Sequence, residues 1–340
     1  MGDTTTKKVE QLGGQAAWPK MRLDKFATFA ALVVLLIVFS IVAKNFFTVR
    51  NLLTLALQTS TITLMGIGVT FIIITGGIDL SIGSAIALTG TIAVMAADAG
   101  LGIWQSMVIG LLTGAACGLL NGLLVTRLRL PPFIATLGTM MIYRGLVLTV
   151  TNANSKPAPD AFGILGNNTL FRMTQQTPDG RTLTMFPGIS YIVIIMIICA
   201  LIFHFILKKM RIGRYIYSIG SNEEASRLSG IKVKKVKVIT YMIGGLLSGL
   251  TGILLASRMV TSQPNGGIGY ELNAIAAAVI GGTSLMGGIG TVSGTVIGSF
   301  IIGVLSTGLT MMGANYFSQQ IVIGVVVIGA VAVDQLRNRK

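Results

Sequence analysis

Ten apolar runs succeed one another along the chain, near residues 26–43, 52–75, 81–97, 104–126, 133–151, 189–207, 238–258, 273–285, 291–310 and 318–336. A helix that crosses a bilayer needs roughly 20 apolar residues, fewer where protein shelters part of it. Lipid offers no hydrogen-bonding partner to a backbone, so runs of this kind are stable in a membrane as helices that satisfy their own amides. The pattern therefore predicts an all-α integral membrane protein with about ten transmembrane helices. The eighth run is short and glycine-rich and reads as a re-entrant or broken segment.

Polar stretches mark off a transmembrane domain over 26–336, with tails at 1–25 and 337–340. Residues 1–25 carry no convincing small-residue cleavage site, so the first helix is expected to stay as an anchor. Two connections exceed a simple turn. Residues 152–188 hold Pro157, Pro159, Pro178 and Pro187 and read as an external cap or docking surface; residues 208–237 are rich in Lys and Arg.

Composition agrees with the pattern: 52% of the 340 residues are hydrophobic and 11% charged, against roughly 25% charged in soluble domains. The net charge of +15 does not point to nucleic acid, because the basic residues fall in blocks between apolar runs, not on an aromatic-interleaved surface. They read as topology signals. Alternate loops hold nineteen Lys and Arg on one side and six on the other, with Arg144 inside a span; this asymmetry predicts both termini in the cytoplasm and 152–188 outside.

Few residues carry reactive chemistry. Cys117, Cys199 and His204 lie in apolar runs and read as packing, and no nucleophile–base pair, metal site or phosphate-cradling G-x-x-x-x-G-K-[ST] loop appears. Candidate pathway residues are Asp79, which can instead cap the third helix through the amides of Ile82 or neighbouring residues, and Arg144, which must snorkel outward, find a partner or line a water-filled cavity. Glu271 and Asn273, at the outer mouth of the eighth run, complete the set. An echo, GGxxLxxG, recurs at Gly76–Gly83 and Gly281–Gly288, as a duplicated transporter core would show.

The sharpest local signal lies at 211–231. Ser221 and Glu224 have capping-box spacing, Glu223 and Glu224 suit the start of a helix dipole, and Gly230 followed by Ile231 reads as its stop. The predicted helix, 222–229, is about two turns long, too short to be stable without a surface to pack on. That surface is either this protein's own inner face or a groove in a partner.

This segment resembles the coupling motif of ABC importer permeases, with Glu224, Ala225 and Gly230 in place and Ser226 where a second Ala is common. Resemblance to the ribose, galactose and xylose permeases extends along the chain through Asn45-Phe46-Phe47-Thr48, Gly76 to Gly83, Pro132 to Leu137, Gly213 to Tyr217 and Gly269 to Leu272. It looks closest to the ribose permeases. The resemblance implies a type II ABC importer-like fold whose short cytoplasmic coupling helix meets a separate ATPase subunit. ATP and Mg then sit on that partner and no cofactor on this chain. It further implies a sugar-binding protein outside and a second permease subunit, identical or not. The coupling role falls on Gly213, Arg214, Ser221, Asn222, Glu223, Glu224, Ala225, Leu228 and Gly230. Two other readings stay open: a permease of the same architecture for branched-chain amino acids, and an ion-coupled secondary transporter with Asp79 as its coupling acid.

Overall fold

The computed structural model describes residues 18–176, 179 and 182–338. The expectations for the rest of the N-terminal tail, for Pro178 and Arg181 in the long connection and for the last two residues lie outside the described residues.

Helices occupy all ten apolar runs. In chain order they are α1 (Trp18–Val42), α2 (Val49–Ile74), α3 (Ile82–Asp98), α4 (Ile103–Thr126) and α5 (Pro132–Thr151). After the long connection, which contains the single-turn α6 (Ile164–Asn167), come α7 (Tyr191–Lys209), α8 (Arg211–Ser221), α9 (Glu223–Leu228) and α10 (Val233–Met259). The chain closes with α11 (Tyr270–Ile280), α12 (Val292–Met311) and α13 (Tyr316–Asn338). Six of these, α2, α4, α5, α7, α10 and α12, are long and apolar enough to cross a membrane. The apolar parts of the other four, Ala27–Val42, Ile82–Asp98, Tyr270–Ile280 and Tyr316–Gly329, are shorter.

Three expectations change. The eighth run is helical only over Tyr270–Ile280, because Gly282, Gly287 and Gly288 take φ of +87°, +88° and +74°, a left-handed backbone that ends a helix. The seventh helix starts at Val233 and takes Lys234, Lys235 and Lys237 into its first turns, so 208–237 is mostly helix and not loop. The molecule is also not purely helical. Antiparallel two-residue pairings join β1 (Lys156–Pro157) to β6 (Thr261–Ser262) and β2 (Thr169–Leu170) to β5 (Ile189–Ser190), and a hairpin pairs β3 (Met173–Gln176) with β4 (Thr182–Phe186). Polar, proline-interrupted chain has to find backbone partners somewhere, and here it pairs with itself and with the end of α10.

At the centre stand α2 and α10. Between Thr59 and Ile74 every α2 residue except Ile62 is buried. In lipid there is no hydrophobic drive between helices, so close van der Waals approach must supply the cohesion, and small residues permit it. On α4, Gly114, Gly118 and Gly122 face α10, where Gly245 and Gly249 answer them; a Cβ at Gly118 would overlap the carbonyl of Tyr241. Gly68 of α2 meets Gly244 on another face of α10, with 3.0 Å between a built Cβ and the Gly244 Cα. Across α2 and α12, the Thr70 and Thr295 hydroxyls bond at 2.6 Å. Phe317, Ile321, Val325 and Ile328 of α13 are 65–75% exposed on one helical stripe, which in a membrane faces acyl chains or another subunit.

The glycine seam yields a direct test. Gly118→Val forces α4 off α10 and costs about 1–3 kcal/mol of overpacking, lowering the thermal midpoint of the detergent-solubilised protein. Gly138→Ala on α5, where nothing lies within 4 Å, leaves the midpoint in place. Equal midpoints for both variants would remove the seam from the account of stability.

Candidate functional site

One end of the bundle carries α8 and α9. α8 buries Gly213, Ile216 and Ile219 and presents Arg211, Arg214 and Tyr215 outward, a helical stripe of the usual spacing. Gly213 is required where the chain turns from α7 into α8, because a Cβ there would overlap the carbonyl of Leu207.

α9 is held by its ends. Asn222, with extended backbone, separates it from α8, and its side-chain oxygen accepts from the Ala225 N–H at 2.9 Å. This corrects the expected capping box: Ser221 is the last residue of α8 and donates its hydroxyl to the Tyr217 carbonyl. Glu224 reaches forward to Arg227, not back to the cap. The Arg227 hydrogen bond holds the Glu224 carboxyl below its ordinary range. At the other end Gly230 takes φ +82°, with its N–H on Arg227 and the Ile231 N–H on Ser226. That two-bond pattern stops a helix at a left-handed glycine.

Apart from Ser226, the residues of α9 are exposed, Leu228 at 77%. Ser226 anchors it through a 2.7 Å bond between its hydroxyl and that of Ser218, and Lys237 of α10 meets Glu223 at 2.6 Å. The helix thus stands off its own protein, showing Glu224, Ala225 and Leu228 to whatever approaches.

Behind α8 three segments converge. The Gly288 N–H donates to the carbonyl of Ile74, the last residue of α2, and the Tyr217 hydroxyl donates to the Gly290 carbonyl at 2.7 Å. Burial there pushes the Tyr217 phenol up to about 12. Gly220 packs so closely that a Cβ would overlap the Ile74 carbonyl, and a Cβ at Gly287 would lie 3.2 Å from the Gly76 N. The two echo segments are therefore neighbours, both against the helix that leads to α9.

Past this junction the chain re-enters the protein at Asp79, which is 1% exposed. Its carboxylate accepts from the Ser81 N–H at 2.8 Å, the Ser81 hydroxyl at 2.7 Å and the Asn121 amide at 3.2 Å. At the start of α3 it takes the amide of Ser81 and not that of Ile82, a cap through a neighbouring residue. The Tyr143 hydroxyl donates to the Cys117 carbonyl at 3.0 Å and approaches the Asn121 oxygen at 3.4 Å, and the Tyr241 hydroxyl reaches the Ile78 carbonyl at 3.4 Å. Sequence reasoning missed Asn121, Tyr143 and Tyr241. The amide of Asn121, well inside the apolar run 104–126, was the available signal, since polar groups at membrane depth need partners.

Arg144 and Glu271 meet at a different place, the segment between β6 and α11. Arg144 finds backbone partners: its Nη1 donates to the carbonyls of Pro264 and Gly266, the second at 2.9 Å. Glu271 accepts from the Gly269 N–H at 3.2 Å, and Gly83 packs against its carboxylate and the Gly267 carbonyl. Asn273 sits half-buried in the first turn of α11. The four expected pathway residues thus form two sets, with Asp79 apart from Arg144 and Glu271. Among the described residues, no group of three or more His, Cys, Asp or Glu gathers as a metal site would.

Comparison with known proteins places the chain. Residues 51–331 match the family described as branched-chain amino acid transport system / permease component. The ribose import permease protein RbsC of Escherichia coli (strain K12) is 41% identical over 97% of this chain and 99% of its own length. RbsC of Bacillus subtilis (strain 168) is 41% identical over 93% and 94%. The D-allose transport system permease protein AlsC of E. coli (strain K12) is 36% identical over the whole of both chains. No solved structure matches.

The caps of α9 make separable predictions. Asn222→Ala removes a bond typically worth about 1 kcal/mol, so amide exchange across 223–228 rises about five-fold. Ser221→Ala leaves that exchange unchanged; acceleration by Ser221→Ala alone would restore the capping box.

Proposed function

The chain belongs to this permease family, and from that premise we propose that it is the membrane-spanning subunit of an ATP-driven importer that carries a monosaccharide, ribose above all, into the cell. Identity of 41% across nearly the full length of ribose permeases supports the substrate. The allose permease is less similar over a comparable extent, and sugars as a class recur among the relatives. The family's description names branched-chain amino acids, but the relatives aligned end to end carry sugar names.

The observation that carries the mechanism is the exposure of α9. A capped helix of six residues that buries only Ser226 gains little from its own protein, and short helices gain stability from a surface they dock on. In this reading Glu224, Ala225 and Leu228 meet a groove of the cytoplasmic ATPase subunit. Gly213, Arg214, Ser221, Asn222, Glu223 and Gly230 shape and orient the contact. ATP and Mg bind on that ATPase, and this chain performs no hydrolysis. A binding protein delivers the sugar from outside, and a second permease subunit completes the pathway.

The topology that goes with this reading has about ten crossings in the bacterial inner membrane, both termini inside, residues 152–188 outside and 208–237 inside. The four shorter helices then cross with help from their neighbours. A ligand drives a conformational change only through contacts that differ between states, so α9 must pack differently on the motor before and after hydrolysis. Tyr217 and Gly220 of α8 are placed to carry that difference to the end of α2 and to the 281–291 loop. Asp79 serves in this account as a buried corner between α2 and α3 that ties the break to α4, and not as an ion-coupling acid.

Reconstitution with the ATPase and binding protein tests the whole. Ribose uptake should require ATP and survive a proton uncoupler; ATP-independent uptake, or uptake of leucine in place of ribose, would overturn the reading. Gly230→Pro and Glu224→Lys should insert normally yet abolish both uptake and stimulated ATP hydrolysis. Normal uptake by either variant would remove α9 from the coupling path.

A further inference from the structure

A cleft of about 510 Å³ opens between the start of α2 and the β3–β4 hairpin, within the range of about 300–1,000 Å³ usual for small-ligand sites. Val49 and Arg50 of α2 line it, with Arg172 just before β3 and Thr184, Met185 and Pro187 on the returning strand and its exit. Both arginines are exposed, and the lining holds no Asp or Glu. Among the described residues neither guanidinium has a hydrogen-bond or ion-pair partner.

The backbone fixes this cleft at the membrane edge. α2 has 26 residues, about 39 Å of helix at 1.5 Å per residue against a hydrocarbon core of about 30 Å, so its first turn lies among the headgroups. The hairpin springs from the same level. β5 runs directly into the spanning helix α7 and pairs with β2, which ends two residues before Arg172. Gly188, at φ +83°, seals this base, since a Cβ there would overlap the Leu170 carbonyl. Phe171 and Met173, which flank Arg172 in the chain, and Met185 in the cleft are 63–71% exposed, and Phe47 and Val49 are exposed where the chain enters α2. Apolar side chains beside arginines at the end of a spanning helix are the pattern of a surface that meets lipid.

We propose that the cleft binds the headgroup of an anionic phospholipid of the outer leaflet, with Arg50 and Arg172 on its phosphate and the exposed Phe and Met side chains against its glycerol and acyl end. The proposal rests on the topology of the importer reading above, with 152–188 outside. Two cations that share a cleft without an acid in its lining repel each other, and a phosphate diester between them relieves that repulsion. The planar guanidinium fork also matches phosphate oxygens. A headgroup that carries its own ammonium brings a cation that nothing in the lining neutralises, so phosphatidylglycerol is favoured over phosphatidylcholine. A soluble phosphate would use the arginines but leave the apolar side chains in water. An acidic protein surface also suits two arginines, but it approaches from water, whereas this cleft lies at headgroup depth with apolar flanks.

The test uses the full chain in detergent, with phosphatidylglycerol and phosphatidylcholine titrated in competition and bound lipid counted by native mass spectrometry. One phosphatidylglycerol should bind in preference, and Arg50→Gln and Arg172→Gln should each weaken it about five-fold, the worth of one basic residue at an anionic surface. Lys156→Gln, at a basic residue of the same long connection that does not line the cleft, should leave it unchanged, and all three variants should keep the wild-type thermal midpoint. An equal loss in Lys156→Gln would make the binding diffuse and overturn the site, as would unaltered affinity in both arginine variants. Displacement of the lipid by excess inorganic phosphate would overturn a lipid occupant in favour of a soluble anion. Arginine variants that keep the lipid but lose docking of the sugar-binding protein would assign the cleft to that protein instead. Separately, a membrane-impermeant thiol reagent should reach Asn154→Cys from outside intact cells; labelling from the cytoplasmic side alone would overturn the topology and with it the leaflet, whatever the lipid counts show.

Discussion

Backbone touching backbone is the constraint under which this bundle is built. Along the contact of α4 with α10, glycine faces glycine so closely that no side chain fits between them. Bringing helices into direct van der Waals contact provides the cohesion that a hydrophobic effect cannot supply inside lipid. It also fixes the height of α10 against α4, and with it the positions of Tyr241 near the Asp79 corner and of β6 beyond its far end.

Polar groups then occupy places that this packing leaves for them. Most buried Ser and Thr hydroxyls on the helices bond back to their own helix, as Ser248 does to Gly244 and Ser299 to Thr295. Those that bond elsewhere mark joints. Thr70 joins α2 to α12, Ser257 bonds the Phe162 carbonyl and so ties α10 to the long connection, and Ser218 joins α8 to α9. Asp79 is the extreme case, a carboxylate whose bonds all go to neutral groups in the described structure.

The helices were readable because their signal is additive: twenty apolar residues in a row outweigh any single misleading position. Ends were less readable. Val233 to Lys237 looks like loop because it is basic, yet lysines tolerate the first turns of a helix whose other face is apolar. Gly281 to Gly288 looks helical in hydropathy, and only the backbone freedom of its glycines stops it. At the candidate site, Gly230 was legible because a helix stop is written locally. The cap was misassigned by one residue because Ser221 and Asn222 both suit the role, and only the reach of α8 decides between them. The meeting of Asp79 with Asn121, and of Arg144 with Pro264 and Gly266, joins residues more than forty positions apart in sequence. No local pattern encodes that.

The hydrogen bond from Gly288 to Ile74 has a mechanical meaning. It clasps two segments from distant parts of the chain at the point where α8 leans on both. A push delivered to α8 therefore has no slack to take up in one segment before the other responds. Early and late parts of the polypeptide are geared together at this end of the molecule and turn as a pair.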